Sequence, residues 1–560
     1  MTRRSTLNLL SLEARDVPAA TVQFIHNSPF ASAKSVDVYL NDSLYLDNFN
    51  FQSATDYLSV ASATNLKIDI VPSTAANNAS PLSTTTLNLA ANSANVAIIT
   101  GDPSKPTGST AFHLATGTGR ASASNANQSE ILAFNGSPDL PNIDLRIRGV
   151  GLLGNDVAFG AFSTAYQSLA PTSHLVDILP GAGGLQLTTS DIPFDTYKGK
   201  TAIIMASGFL DPATATDPVL TLVAILEDGT SYMFGAAIEP AFAAAAATSA
   251  GGTVLVASPR GDTVQSIIAF PGAKSSPRIA SADLDGDGHL ELIVGSGPGM
   301  SGLVRILDGA TGATLKEIEP FGNFLGGVNV AAGDITGDGV ADIVLSPDDG
   351  GGPRVRIFNG KTFTQIADYF GIDDVNFRGG ARAAVGDVNS DGRGDILVSA
   401  GIGGGPRVAV FDGSKLSMTG GPKFFGDFFA FEPDLRNGAF ITAGDVNGDG
   451  YADMIVGGGP GGGPRVRVFD GKSLVASTFQ MNVIADFFAG DVDERRGARV
   501  TAKDIDFDGK DDLITGGVPN GAATLRIFLA ADLPLSGVGN AEVAVSGFNG
   551  ASVLDEVFVG

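Results

Sequence analysis

Five nine-residue segments of this chain repeat one arrangement of oxygen-bearing side chains. The first runs Asp283-Leu284-Asp285-Gly286-Asp287-Gly288-His289-Leu290-Glu291. The others carry Asp334, Thr336, Asp338 and Asp342; Asp387, Asn389, Asp391 and Asp395; Asp445, Asn447, Asp449 and Asp453; and Asp504, Asp506, Asp508 and Asp512. Oxygens thus fall at loop positions 1, 3, 5 and 9, and Gly falls at position 6 in every copy. Alternate residues pointing inward around a glycine turn let a backbone wrap a hard cation such as Ca2+, and the position-7 carbonyl adds an oxygen. The candidate carbonyl donors are His289, Val340, Arg393, Tyr451 and Lys510. The ligand positions gather 17 carboxylates, so like-charge repulsion should strain the metal-free loops. Asp-Gly turns also initiate hairpins with no metal at all. Repetition in register is what favours the ion.

These loops need particular elements around them. A helical calcium hand requires an acid at position 12 and flanking helices, but position 12 is Val294, Leu345, Val398, Val456 or Thr515. The loop must therefore join two strands. The acidic turns recur at spacings of 51, 53, 58 and 59 residues, about the length of a four-stranded propeller blade. Each unit reads as a small-residue strand such as 328–333, the acidic turn, an apolar strand such as 343–345, a Gly-Pro loop such as 457–464, a third strand such as 466–469, an Asp-Gly turn and an outer strand. Further strand-like runs lie at both ends of this half, at 253–257, 264–270, 524–529, 541–546 and 553–559. They suit a blade shared between the termini.

Here the sequence resembles the FG-GAP repeat of integrin-α and VCBS type, over residues 253–560. That resemblance implies calcium-binding propeller blades and up to five Ca2+ ions. Glu291 and Thr336 depart from the family's loop, and the second site is expected to be the weakest. Extracellular calcium modules bind at around 10⁻⁴ to 10⁻³ M. In millimolar calcium each site would contribute about 0.4 to 1.4 kcal/mol, and would stand empty at cytosolic calcium.

The first half contains a different repeat. Ser28-Pro29, Val36-Asp37-Val38, Tyr57 and Asp69-Ile70-Val71-Pro72 return as Ser137-Pro138, Ile143-Asp144-Leu145, Tyr166 and Asp177-Ile178-Leu179-Pro180. A duplicated unit of about a hundred residues suits an immunoglobulin-like sandwich. Ser28 to Tyr39 resembles the opening of the Ig-like family called domain of unknown function 4397, which implies nothing about activity. The expected organisation is all-β: a targeting-like or disordered segment 1–20, Ig-like β-sandwiches 21–120 and 126–236, an Ala-rich linker 237–252, and a β-propeller 253–560, with six blades favoured and five the alternative. Residues 12–19 resemble a short L-E-x-R-x-x-P-A element at the start of many large bacterial surface proteins.

Composition removes several functions. A net charge of −25 argues against nucleic acid and anionic membrane surfaces. With no Cys there is no disulfide, thiolate metal site or thiol nucleophile. His26, His113, His174 and His289 are scattered, and neither a G-x-S-x-G elbow nor a Walker loop occurs. The chain reads as a non-enzymatic, secreted or cell-surface calcium-binding protein for adhesion or ligand recognition. The alternatives are a purely structural envelope or matrix protein and a secreted carbohydrate-active enzyme. The expected partner is an extracellular protein or glycan at the face opposite the acidic turns. There Phe321, Phe324, Asp373, Asp374, Arg378, Phe431, Glu432, Asp434, Arg436, Asp491, Asp493, Glu494, Arg495 and Arg496 gather, unless the Phe residues only wedge between blades. Arg260-Gly261-Asp262 matches an integrin-read tripeptide but reads as a chance turn.

Overall fold

The computed structural model describes residues 19–560 except 62, 106, 141, 149, 182–183, 215, 236–240, 260, 262, 286–289, 477–478, 519–522, 547, 549–552 and 554–555. The regular structure of the described chain is almost entirely β-strand, and the chain divides into two compact units, residues 1–237 and 238–560.

The first unit contains the duplication. In the first copy, strand Ala19–His26 lies between Leu58–Ala61 and Ala94–Thr100, and His113–Thr118 completes the sheet. A second sheet orders Ser43–Asn50, Ser35–Leu40, Ala63–Pro72 and Ser83–Leu89. Alternation puts Val22, Phe24, Val36, Val38, Ile68 and Ile70 into one apolar cluster between the two sheets. The second copy repeats this order, with Ser129–Asn135 beside Thr201–Ser207. Equivalent residues do equivalent work: the Ser28 hydroxyl donates to the Gly101 carbonyl (2.8 Å), and Ser137 donates to Gly208 (2.9 Å). The central pairs, Ala19–His26 with Ala94–Thr100 and Ser129–Asn135 with Thr201–Ser207, are parallel. An Ig sandwich is built from antiparallel sheets.

The second unit is six four-stranded sheets in succession. One sheet orders Val328–Gly333, Asp342–Pro347, Arg354–Phe358 and Gln365–Phe370, and four others follow the same up-and-down order. The remaining sheet orders Thr263–Pro271, Gly251–Ala257, Phe242–Thr248 and Val557–Val559, so it combines the two ends of the unit. Small residues on the first strands follow from close approach. A Cβ on Gly386 would stand 2.5 Å from that of Ala443, and one on Gly444 would stand 2.7 Å from that of Ala502. Between sheets, guanidinium groups act as staples: Arg467 donates to the Ala430 carbonyl (2.7 Å) and lies over the Phe431 ring, as Arg305 lies over Phe270 and Arg356 over Phe321.

Two expectations are corrected. Among the described residues no sheet closes into a barrel or propeller. The hydrogen-bond ladder stops at the outer strand of each of ten open sheets of four or five strands. The all-β class stands, but two Ig-like sandwiches followed by a six- or five-bladed propeller do not. The Ala-rich run placed as a linker at 237–252 contains strand Phe242–Thr248, all seven residues of which are buried. Strands pair on both of its edges.

Candidate metal centre

Each acidic turn links the first two strands of its sheet, between Ala381–Gly386 and Asp395–Ala400 for example. The position-9 carboxylate begins the second strand and is buried: Glu291, Asp342, Asp395, Asp453 and Asp512. One of its oxygens accepts the position-2 N–H, from Leu284 (2.7 Å), Ile335 (3.1 Å), Val388 (3.1 Å), Val446 (3.1 Å) and Ile505 (3.0 Å). In the last four copies the other oxygen accepts an N–H from 18 residues further on: Gly360 (3.2 Å), Gly413 (2.9 Å), Gly471 (2.9 Å) and Ala530 (2.8 Å). One carboxylate therefore ties the acidic turn to the turn after the third strand. Close approach explains the glycine there. A Cβ on Gly360, Gly413 or Gly471 would meet the carbonyl oxygen of Ala341, Gly394 or Ala452 at 1.9, 1.9 and 2.0 Å.

The position-1 carboxylate organises the other side of the loop. Asp445 accepts from Gly448, Asp449 and Gly450 (2.8, 3.1 and 2.8 Å), and Asp387 accepts from Asp391 and Gly392 (3.0 and 2.7 Å). Asp334 and Asp504 are engaged in the same way. Position 5 accepts the position-7 N–H: Val340 to Asp338, Arg393 to Asp391, Tyr451 to Asp449 and Lys510 to Asp508, at 2.9 to 3.1 Å. Asp338 and Asp449 also face Lys361 (3.4 Å) and Lys472 (3.5 Å). Position-6 glycines Gly339, Gly392, Gly450 and Gly509 have φ between +82° and +88°, where a side chain is strained.

Convergence differs between copies. Carboxylate oxygens of Asp283, Asp285 and Glu291 lie within 4.8 Å of one another, as do those of Asp504, Asp506 and Asp512. In the middle copies position 3 is neutral, Thr336, Asn389 or Asn447. The Thr336 hydroxyl is buried without a hydrogen-bond partner, as an oxygen reserved for a cation would be. Asn389 donates to Asp391 (3.1 Å), and the Asn447 amide oxygen accepts the Asp449 N–H (2.9 Å). Asp287 and His289 lie outside the described residues, as do Arg260 and Asp262 of the integrin-like tripeptide.

The electrostatics fit a missing positive charge. Burial, reinforced by neighbouring loop carboxylates, pushes Asp395, Asp453 and Asp512 up to about 7, against the hydrogen bonds each receives. Burial also raises Asp504, with Asp508 adding to it. A divalent ion among these groups would restore their charge.

Sequence reasoning missed two parts of this geometry. The N–H partners 18 residues on carried a signal in the repeated Asp-Gly pairs, Asp412-Gly413 and Asp470-Gly471. The positive φ at position 4 was legible where Gly stands, at Gly337 (+73°) and Gly448 (+75°), but not at Ser390 (+58°) or Phe507 (+59°).

Comparison with known proteins identifies parts of the chain. Residues 20–146 match the family described as domain of unknown function (DUF4397). Residues 283–345 and 334–398 match an FG-GAP-like repeat, and 437–475 match the FG-GAP repeat. The chain thus carries a DUF4397 domain and FG-GAP repeats. Neither family description names a catalytic activity. Integrin alpha pat-2 of Caenorhabditis elegans is 32% identical over 161 residues, 23% of this chain and 12% of that protein. The match therefore spans about an eighth of the length of that curated relative. Among solved structures, the complex of KlAtg21 with the coiled coil of AgAtg16 is 11% identical, with a TM-score of 0.31 over 67% of this chain and 96% of that one. The Dos1 propeller structure is also 11% identical, with a TM-score of 0.29 over 72% of this chain and 90% of that one. The strands and the family matches together describe an all-β repeat protein.

Proposed function

We propose that this is a secreted or cell-surface protein whose FG-GAP repeats each hold Ca2+ in the acidic turn, and that it acts in adhesion or ligand recognition. The observation that carries this reading is the convergence of three carboxylates within 4.8 Å in the first and last turns. The intervening copies keep the same loop register, with Asp338, Asp391 and Asp449 at position 5 and Asp342, Asp395 and Asp453 at position 9. Hard oxygen ligands around glycine turns select calcium over softer metals. At around 10⁻⁴ to 10⁻³ M affinity, five sites give roughly 2 to 7 kcal/mol in millimolar calcium, comparable with a domain's net stability. The ions take over the stapling that a chain without Cys cannot obtain from disulfides.

A partner would dock away from the acidic turns. A groove of about 550 Å3 there is lined by Phe321, Phe324, Phe370, Arg354, Arg356 and Arg378, an aromatic and arginine mixture enriched at binding surfaces. By contrast Phe431 is buried beneath Arg465 and Arg467, which makes it a wedge.

The test is thermal unfolding of the full chain with millimolar calcium and with chelator, followed by calcium-dependent binding to glycan and cell-surface panels. Melting that ignores the chelator overturns the calcium assignment. Calcium-stabilised protein that binds nothing on either panel replaces recognition with an architectural role.

A further inference from the structure

Between the first strands of the second unit lies a cavity of about 230 Å3, room for several waters. One layer of its lining comes from the residue five positions before each acidic turn: Arg278, Asn329, Arg382, Phe440 and Arg499. Phe558, from Val557–Val559, completes it. In a chain of net charge −25, three arginines share this layer, and each is more than nine-tenths buried.

Among the described residues, their charge is not balanced. Arg278 pairs with Asp348, and Arg499 pairs with Glu556. Arg382 donates one bond, from Nη1 to the Ala439 carbonyl (2.9 Å), and among the described residues makes no ion pair. Among the described residues, two carboxylates thus face three guanidinium groups. Burial pulls Arg382 down to about 10 although Asp348 opposes it, and Arg499 and Arg278 add to the repulsion. Burying a surplus cation costs several kcal/mol unless something neutralises it.

The aromatic members hold the arginines in a defined pose. Arg382 lies 4.2 Å over the Phe440 ring and Arg499 lies 4.7 Å over the same ring, while Arg278 and Arg499 lie 4.5 and 5.2 Å over Phe558. Stacking occupies the guanidinium faces and leaves the edges for in-plane contacts with oxygen. Arg278 spends its edge on Asp348 and the Ser276 carbonyl, and Arg499 holds Glu556 and the Arg496 carbonyl, whereas Arg382 holds the Ala439 carbonyl. The Asn329 amide donates to the Ala381 carbonyl (2.9 Å).

We propose that this cavity is an anion-binding site, in which the edge of Arg382, flanked by Arg278 and Arg499, receives a small oxyanion, either inorganic and tetrahedral or a carboxylate. It is separate from the acidic turns and does not depend on their metal. The volume excludes a drug-sized ligand, whose pockets begin at around 300 Å3, and suits an anion of a few heavy atoms with some of its water.

The test is calorimetric titration of the calcium-loaded full chain with sulfate in one arm and succinate in the other, at fixed ionic strength. Saturable one-to-one binding is expected in at least one arm, and the responding arm identifies the source chemistry. Arg382→Gln should weaken it by about tenfold or more, the loss of one charge-assisted contact. Arg436→Gln should leave it unchanged, since that exposed side chain bonds only carbonyls of its own loop. If Arg382→Gln does not fold, crystals of the parent protein soaked in selenate should show anomalous scattering in the arginine layer. No saturable binding in either arm overturns the proposal, as does binding that Arg382→Gln leaves intact or selenate that stays out of this layer.

Discussion

Replacing Asp453 by Asn separates the two duties of a position-9 carboxylate. Its side chain accepts N–H groups from Val446 and Gly471 (3.1 and 2.9 Å). Burial and the charges of Asp445 and Asp470 raise it from 3.8 to about 7. Without metal, at a pH above 8, ionisation of this group costs about 4 kcal/mol, because each tenfold rise in proton affinity on folding is worth roughly 1.36 kcal/mol. Asn removes that cost and gives up one hydrogen bond, about 1 kcal/mol. In chelator at pH 8 the Asp453→Asn chain should therefore be more stable than the parent by roughly 3 kcal/mol, or several degrees in melting temperature. In millimolar calcium the advantage should shrink by about 0.4 to 1.4 kcal/mol, one site's worth of binding. At pH 5 the folded carboxyl is protonated while the unfolded one, at 3.8, is still ionised, so about 1.6 kcal/mol of the cost remains and the advantage should shrink to under about 1 kcal/mol. The assay is thermal unfolding by circular dichroism in the three buffers. A variant that is destabilised equally in all of them would refute the reasoning, because the carboxylate would then be only a hydrogen-bond acceptor.

Three further expectations follow the same physics. In chelator, stability should fall as pH rises from about 4 through about 7 and then level off. Asp395, Asp453 and Asp512 bind protons more tightly folded than unfolded, so their contribution is complete below 3.8 and lost above 7; a melting series that rises over this range contradicts it. Gly413→Ala, whose Cβ would meet the Gly394 carbonyl oxygen at 1.9 Å, should cost about 1 to 3 kcal/mol, read as a lowered denaturant midpoint; an unchanged midpoint would show that the turn can move. Arg467→Ala removes contacts with Asp486 (2.7 Å), the Ala430 carbonyl (2.7 Å) and the Phe431 ring and should cost about 1 to 2 kcal/mol, against nearly nothing for Arg436→Ala in the same assay.

The acidic turns were legible because their ligand spacing is local. Nine residues specify which oxygens face inward, and the apolar residue at position 12 identifies the hairpin. Strand boundaries followed from alternation, as in Arg354–Phe358 and Arg465–Phe469, which begin at the Arg of Pro-Arg pairs. What failed was non-local. A run of Ala between 242 and 248 looks like a linker until strands from both ends of the unit are known to bracket it. Unit length suggested an Ig-like sandwich, but length cannot specify that Ala19–His26 pairs in parallel with Ala94–Thr100. Nor does repetition in sequence determine whether hydrogen bonding passes from one sheet to the next, and here it does not. The arginine layer stood in register in the sequence all along. It was invisible because Arg278, Arg382 and Arg499 meet only in three dimensions.

The sheet that draws Phe242–Thr248 and Val557–Val559 together also governs the order in which the protein can mature. The Ser276 hydroxyl reaches the Glu556 carbonyl across 280 residues of chain, a closure whose length-dependent entropy alone is about 5 kcal/mol. During synthesis the alanine strand must wait, one edge unsatisfied, while every intervening repeat is made. A ribosome-bound intermediate would thus display a flat, apolar, aggregation-prone margin. Secretion before folding, or a chaperone that shields this margin, would remove that hazard.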